Sequence, residues 1–156
     1  MINLNPKFKL TKFDQIEDEA FLAEDEFFWV VPDKFPLFPG HILIISKSAQ
    51  SHDDLSAREK DALSKWIDWT KDYLKKHLDP KPDGFTLAVN DGLAAGQTKD
   101  RFHYHVVPRR FGDVPDPRGG FRNMVAGRGK YWEQKKAKHF VDSDHERGNK
   151  FAHSHR

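Results

Sequence analysis

The sequence contains no cysteine, no long apolar run and almost no net charge, and each absence excludes a class of protein. Without thiols the chain forms neither disulfides nor thiolate centres, which fits a reducing compartment. No apolar stretch approaches the roughly 20 residues of a membrane helix, and residues 1–10 lack the apolar core of a secretory signal. With 26 basic and 24 acidic residues, the charge balance does not favour a nucleic-acid partner. We therefore predict a cytoplasmic protein without membrane or nucleic-acid partners.

The 156 residues are enough for one domain with a sizeable core, and thirteen Phe and four Trp are available to fill it. We predict that this domain covers residues 1–132, with its main motifs between 27 and 110. Residues 1–26 are polar with few apolar anchors, and we expect them to add a short helix or an arm. Segment 133–156 is rich in charge, which predicts a partly disordered C-terminal extension.

Four stretches have strand character. Phe27–Val31 and His41–Ser46 are rich in aromatic and β-branched residues, and the proline-rich loop between them cannot be helical. Phe85–Asn90 and Arg101–Val107 follow later in the chain. Together they predict an antiparallel sheet.

One main helix is predicted between the two strand pairs. Ser56 and Glu59 match a capping box, in which each side chain satisfies a free backbone N–H group of the other residue. Apolar and small residues then recur at helical spacing up to a predicted end near Leu78: Leu63, Trp66, Ile67, Thr70 and Leu74. The order strand–strand–helix–strand–strand predicts a single α+β domain.

The stretch 90–110 brings a turn-rich loop directly before an alternating strand. Within a strand, successive side chains point to opposite faces. One face would carry Phe102, Tyr104 and Val106, and the other would carry Arg101, His103 and His105. The backbone amides of the glycine-containing loop could hold a phosphate beside the second face. This combination predicts a functional site.

Two chemistries fit the paired histidines. Neutral imidazoles two residues apart on a strand can share a zinc ion, with His41 available as a further ligand. Alternatively, one imidazole attacks a phosphorus centre while cationic and amide donors stabilise the phosphoryl oxygens. Arg101 favours the second chemistry, because a cation beside His103 disfavours both protonation of the ring and binding of zinc.

These motifs resemble the histidine triad (HIT) family of nucleotide hydrolases and transferases, over roughly residues 27–132. The signature of that family corresponds to NDG at 90–92, AGQT at 95–98 and HYHVVPR at 103–109. Segments 33–36 and 39–45 resemble its nucleotide-pocket hairpin. Residues 112–113 and 116–120 resemble an extension of bacterial members near the fragile histidine triad branch.

The resemblance implies a role for each matching residue. His103 would be the nucleophile that forms a nucleotidyl-histidine, and His105 would bond the phosphate or bridging oxygen. The phosphate oxygens would be held by Asn90, Gly96, Gln97 and Thr98. We predict a catalytic set of His103, His105, Gln97 and Arg101.

The resemblance also implies a nucleoside pocket. Asp33 would accept hydrogen bonds from the ribose hydroxyls, and His41 would support the site from behind. Val31, and less directly Phe27 and Trp29, would wall the purine, whereas core packing is the alternative for these side chains.

The sequence departs from the family pattern at Arg101, which replaces the first of three alternating histidines. The guanidinium is suited to clamp a polyphosphate, or it is a solvated arginine at the start of a strand. Arg109, Arg110 and Arg118 would contact the distal phosphates of a dinucleotide, or they simply lie on the protein surface.

We therefore predict a homodimeric HIT hydrolase that cleaves a nucleoside phosphoanhydride, with a dinucleoside polyphosphate as the first expected substrate. No tightly bound metal is expected, although Mg²⁺ would accompany the polyphosphate. The alternatives are a nucleotide-binding module without turnover, a nucleotidyltransferase or phosphorylase, and a metal-binding protein that uses His41, His103 and His105.

Overall fold

The computed structural model describes residues 2–4 and 21–133 of the chain. By its contacts the chain separates into two compact units, Met1–Asp113 and Val114–Arg156. The predicted N-terminal arm falls mostly, and the predicted C-terminal extension almost wholly, outside the described residues. The domain boundary at residue 132 stays a prediction.

Six antiparallel strands form one sheet in the first unit, in the order β1–β2–β3–β4–β6–β5. The strands are β1 (Asn3–Leu4), β2 (Ala23–Glu24), β3 (Phe28–Pro32), β4 (Ile42–Ser46), β5 (Gly84–Val89) and β6 (His103–Arg109). The four predicted strands are confirmed, each starting within two residues of its predicted position. β1 and β2 were not predicted, because two-residue strands carry no readable alternation.

The main helix, α1, spans Ala57–His77 and confirms the predicted helix. Ser56 is its N-cap, with the capping box to Glu59 formed, and Leu78 is its C-cap. The helix buries Leu63, Trp66, Thr70 and Leu74, which lie at the predicted spacing. One antiparallel sheet with one main helix is the predicted α+β class.

Alternation along β6 separates the core from the opposite sheet face. Phe102 and Val106 are buried in the core cluster together with residues of α1, and Tyr104 packs against that cluster. His103 and His105 therefore project from the other face. The prediction that Arg101 lies within this strand was wrong, because β6 begins at His103.

The second unit is irregular. Its described part contains two 3₁₀ helices, Gly120–Met124 and Tyr131–Glu133. Arg118 pairs with Asp116 at 3.0 Å and lies 4.0 Å from the centroid of the Trp132 ring. Arg118 is therefore engaged within its own unit.

Within residues 2–4 and 21–133, no helix has both the length and the apolar character needed to cross a membrane.

Gly40 fixes the loop that leads into β4. Its φ of +98° lies in the region that favours glycine, and an added Cβ would lie 2.7 Å from Leu78 Cδ2 and 2.9 Å from Pro108 Cγ. The loop thus packs closely on the end of α1 and on β6. No larger residue fits without movement.

We expect Gly40→Ala to destabilise the fold by about 1–3 kcal/mol, because the methyl group adds both backbone strain and overpacking. Thermal unfolding of the native chain and the variant measures this loss. Gly84→Ala is the matched control, since a Cβ at Gly84 meets nothing within 4 Å. Equal melting temperatures for all three proteins would contradict the proposed constraint.

Candidate active site

A chain of hydrogen bonds begins at a backbone amide and ends at the sheet face. The Leu37 N–H group donates to His41 Nδ1 at 3.1 Å, and His41 Nε2 lies 2.8 Å from His105 Nδ1. A backbone N–H can only donate, so His41 Nδ1 accepts and the ring carries its proton on Nε2. His41 Nε2 then donates to His105 Nδ1. His105 therefore carries its own proton on Nε2.

The loop between β3 and β4 builds this chain. The Asp33 N–H group donates to the His41 carbonyl at 2.9 Å, and the His41 N–H group donates to the Phe38 carbonyl at 3.1 Å. These bonds close the loop and hold the His41 ring in a position where only 2% of the residue is exposed. Asp33 Oδ2 lies 3.4 Å from His41 Nε2 and 3.9 Å from His105 Nδ1. The predicted ribose acceptor thus also faces both imidazoles.

His103 has the opposite arrangement of its ring nitrogens. Its Nδ1 atom lies 2.9 Å from the Arg101 carbonyl oxygen. A carbonyl can only accept, so Nδ1 carries a proton, and in the neutral imidazole Nε2 keeps a lone pair. The predicted nucleophile is therefore held with a nucleophilic nitrogen, whereas its neighbour His105 is held as a hydrogen-bond donor.

Burial keeps the imidazoles of the chain neutral. The pKa of His105 is lowered to about 4, chiefly by burial and further by His41 and His103, while Asp33 acts in the opposite direction. Burial also lowers the pKa of His41, against the opposing effect of Asp33. At neutral pH both rings are therefore uncharged, as the hydrogen-bond chain requires.

The metal alternative can be compared with this geometry. Among the described residues, Asp33, His41 and His105 place ligand atoms within 4.8 Å of one another. His103, which the alternative needed, is not in this group. A metal on His41 Nε2 would require a proton on Nδ1, yet the Leu37 amide already directs its own proton there. Metal-bound histidines normally donate from the second nitrogen, so the surroundings of His41 favour the hydrogen-bond chain.

The loop between β5 and β6 is shaped by two glycines and one glutamine. Gly92 and Gly96 both have φ of +91° and flank the 3₁₀ turn Leu93–Ala95. Gln97 Oε1 accepts from the Gly92 N–H group at 2.8 Å. Gln97 Nε2 donates to the carbonyls of Gln50 and Lys99 at 2.8 and 2.9 Å. Gln97 therefore cross-links the loop in this conformation, and its predicted role at the phosphate stays a prediction.

The remaining predicted phosphate ligands lie on or beside this loop. Asn90, Gly96 and Thr98 are all exposed to solvent. They are therefore accessible to a ligand from solvent. Their roles also stay predictions.

An apolar surface lies beside the histidines. In the sheet register, Trp29 pairs with Ile45, which pairs with His103, while Val31 pairs with Leu43, which pairs with His105. The side chains of Trp29, Val31, Leu43 and Ile45 are half-buried and share the histidine face. Phe27 instead packs against the core. Val31 thus shares the face of His105, and its predicted place in the purine wall stays a prediction.

The arginines are engaged by protein groups. The Arg101 guanidinium donates to the Lys47 carbonyl and lies 5.5 Å from the centroid of the Trp29 ring. Arg109 forms a two-pronged ion pair with Asp113, with Nε 2.7 Å from Oδ2 and Nη2 2.9 Å from Oδ1.

Arg110 donates from Nε and Nη2 to the Pro80 carbonyl. Arg109 and Arg110 are therefore fixed to the fold rather than turned towards a substrate.

The groups that fix the ring nitrogens could not be predicted from the sequence. Two of them are backbone atoms, the Leu37 amide and the Arg101 carbonyl, and a backbone atom leaves no mark on residue identity.

Known proteins share sequence and fold with this chain. The HIT domain profile matches residues 14–112. The chain belongs to the HIT family. It is 32% identical over 95 residues to a bis(5'-adenosyl)-triphosphatase from Dictyostelium discoideum, covering 60% of this chain and 62% of that protein. It is 29% identical over 114 residues to an AP-4-A phosphorylase from Mycobacterium tuberculosis, covering 70% of this chain and 57% of the relative.

A solved structure shares the HIT fold of this chain. The NitFhit protein of Caenorhabditis elegans superposes with a TM-score of 0.57 at 29% identity, covering 67% of this chain and 26% of that one. The chain thus spans less than two thirds of the length of these relatives. Residues 14–112, which match the HIT domain, contain the histidines and the loops that hold them.

Acidification is expected to destabilise the protein through His105. The folded-state pKa of about 4 lies below the ordinary value of 6.5, so the unfolded chain binds the proton more readily. The contribution to stability is complete above pH 6.5 and is lost as the pH falls towards 4. When the pH is lowered from 7 to 5, the unfolding free energy of the native chain should fall further than that of His105→Gln. We expect the difference between the two falls to be about 1–2 kcal/mol.

Chemical denaturation at each pH measures this difference. His52→Gln, which removes an exposed histidine outside the chain of hydrogen bonds, should keep the native pH dependence. Parallel pH profiles for the native protein and His105→Gln would show that His105 is not held neutral by the fold.

Proposed function

We propose that the protein hydrolyses a dinucleoside polyphosphate through a covalent nucleotide on His103. The observation that carries the proposal is the opposed state of the two histidines, with a lone pair on His103 Nε2 and a proton on His105 Nε2. One ring supplies the electron pair, and the other supplies a hydrogen bond to a phosphate oxygen. The names of the relatives, a triphosphatase and a phosphorylase, support this substrate class.

In the proposed first step, His103 Nε2 attacks the α-phosphorus. A P–N bond forms, and the bond between that phosphorus and the bridging oxygen breaks. The electron pair leaves with the departing nucleotide, and the His103 ring becomes positively charged. The Arg101 carbonyl, which accepts from Nδ1, stabilises this charge.

In the second step, water attacks the same phosphorus and the P–N bond breaks. The electron pair returns to His103, and the proton lost by water passes to solvent. The product is a nucleoside monophosphate, and the histidine is neutral again.

The hydrogen-bond chain also favours a phosphate as the leaving group. If His105 transferred its Nε2 proton to the leaving group, its Nδ1 atom would have to take the Nε2 proton of His41 to stay neutral. His41 could not regain a proton in turn, because the Leu37 amide that donates to its Nδ1 atom does not release its own proton. His105 therefore donates a hydrogen bond without transferring a proton. A departing polyphosphate is stable as an anion, whereas an amine leaving group would need a proton.

Two further features belong to the proposal. β5 is an edge strand of the sheet, and such an edge can pair with a second copy of the chain. We propose a homodimer on this basis, and a monomer in sedimentation velocity at micromolar concentration would contradict it.

Location and metal also belong to the proposal. The absence of cysteine supports a cytoplasmic location. Mg²⁺ is proposed to accompany the polyphosphate rather than to reside on the protein.

We expect His103→Ala to lower diadenosine triphosphate hydrolysis by roughly three or more orders of magnitude, because the nucleophile is lost. Hydrolysis in ¹⁸O-labelled water should place the label in the monophosphate product, as attack at the α-phosphorus requires. His52→Gln should retain the native rate. Equal low rates in the native chain and His103→Ala, with nucleotide still bound, would indicate a binding module.

A phosphorylase is the second candidate, supported by the M. tuberculosis relative. Added orthophosphate would then replace water as the acceptor. The same nucleotidyl-histidine would yield a nucleoside diphosphate in place of the monophosphate, and the products can be separated by chromatography.

A further inference from the structure

The histidine face of the sheet has two chemically different ends. Asp33 lies just beyond β3 at one end, and Trp29 lies within β3 towards the other. At about 3.3 Å per residue, these two positions are separated by about 13 Å along the strand. His103 lies in the same cross-strand row as Trp29. A nucleoside bound at Asp33 therefore leaves the Trp29 end of the face unused.

Two cations cover this second end. Lys47 Nζ lies 5.4 Å from the Trp29 ring centroid, and the Arg101 guanidinium carbon lies 5.5 Å from it. Lys47 directly follows β4, two residues after Ile45, and Arg101 precedes β6, two residues before His103. Because Ile45 pairs with His103, Lys47 and Arg101 come at the next position along the same face. The cations thus lie next to the row of the nucleophile and on the side away from Asp33.

The two cations differ in what they can offer a ligand. Lys47 is paired with Glu24 at 2.8 Å, which offsets its charge. Arg101 is exposed, and its guanidinium donates to the neutral Lys47 carbonyl. This hydrogen bond does not offset the positive charge of the guanidinium. Arg101 is therefore the stronger anchor for an anion at this end.

We propose that Trp29 and Arg101, assisted by Lys47, form the subsite for the departing half of the substrate. This inference rests on the proposed function and names the leaving group as a nucleoside di- or triphosphate. The guanidinium turns from the Trp29 ring to pair with the phosphate oxygens of this half, and the indole then stacks on its base. The arginine at this position then selects for a large, anionic and aromatic leaving group.

The test compares two substrates with the same adenylyl half. Diadenosine triphosphate releases ADP, whereas adenosine 5'-phosphofluoridate releases fluoride, which has neither phosphate nor base. The value of kcat/KM reports formation of the nucleotidyl-histidine. Dividing kcat/KM for diadenosine triphosphate by kcat/KM for the phosphofluoridate therefore isolates the contribution of the leaving group. We expect Arg101→Met to lower this ratio at least tenfold and Trp29→Leu to lower it in the same direction.

Arg58→Met is the matched control. Its guanidinium lies 5.5 Å from the Phe27 ring centroid, the same distance as in the Arg101–Trp29 pair, but on the core-facing side of the sheet beside α1. The ratio should not change in this variant. Arg101→Met also keeps the backbone carbonyl that positions His103.

An unchanged ratio in Arg101→Met, with both substrates cleaved, would overturn the subsite while leaving the proposed hydrolase intact. If the native chain cleaves neither substrate, the proposed hydrolase fails and the subsite is judged by binding. Calorimetry should then show that Arg101→Met weakens the binding of diadenosine triphosphate more than the binding of AMP. Equal losses for the two ligands would overturn the subsite.

Discussion

The hydrogen bond from the Leu37 amide to His41 Nδ1 determines the chemistry of the whole site. A backbone amide can neither lose its proton nor accept one, so it fixes one end of the chain of imidazoles. The proton positions on His41 and His105 follow from it. The tight loop that contains Gly40 and closes between Asp33 and His41 holds this amide in place. The fold of a loop thus sets the protonation of a side chain on another strand.

Two histidines two residues apart share a sheet face but serve opposite purposes. His103 donates to the Arg101 carbonyl and keeps a lone pair, while His105 accepts from His41 and keeps a proton. Neither state follows from the imidazole itself, whose two neutral tautomers are both accessible. The surrounding backbone groups make the choice. Burial lowers the pKa of His41 and of His105 and so keeps these two rings neutral at physiological pH.

Much of this arrangement could be predicted from the sequence. The capping box at Ser56 located the start of α1, and the alternation after Arg101 placed His103 and His105 on the face opposite the core. Contacts made by backbone atoms could not be predicted, because they depend on loop geometry rather than on residue type. The hydrogen-bond partner of the Arg101 side chain could not be predicted for the same reason, since it is the Lys47 carbonyl.

The most direct test of the account is a long-range ¹H–¹⁵N NMR experiment that reads the tautomer of each histidine in the folded protein at pH 7. We predict a proton on Nε2 in His41 and His105 and a proton on Nδ1 in His103. Assignment is made by comparing spectra of single His→Gln variants with the native spectrum. A His41 ring that carries its proton on Nδ1, or a doubly protonated His105, would contradict the chain of hydrogen bonds on which the proposed chemistry depends.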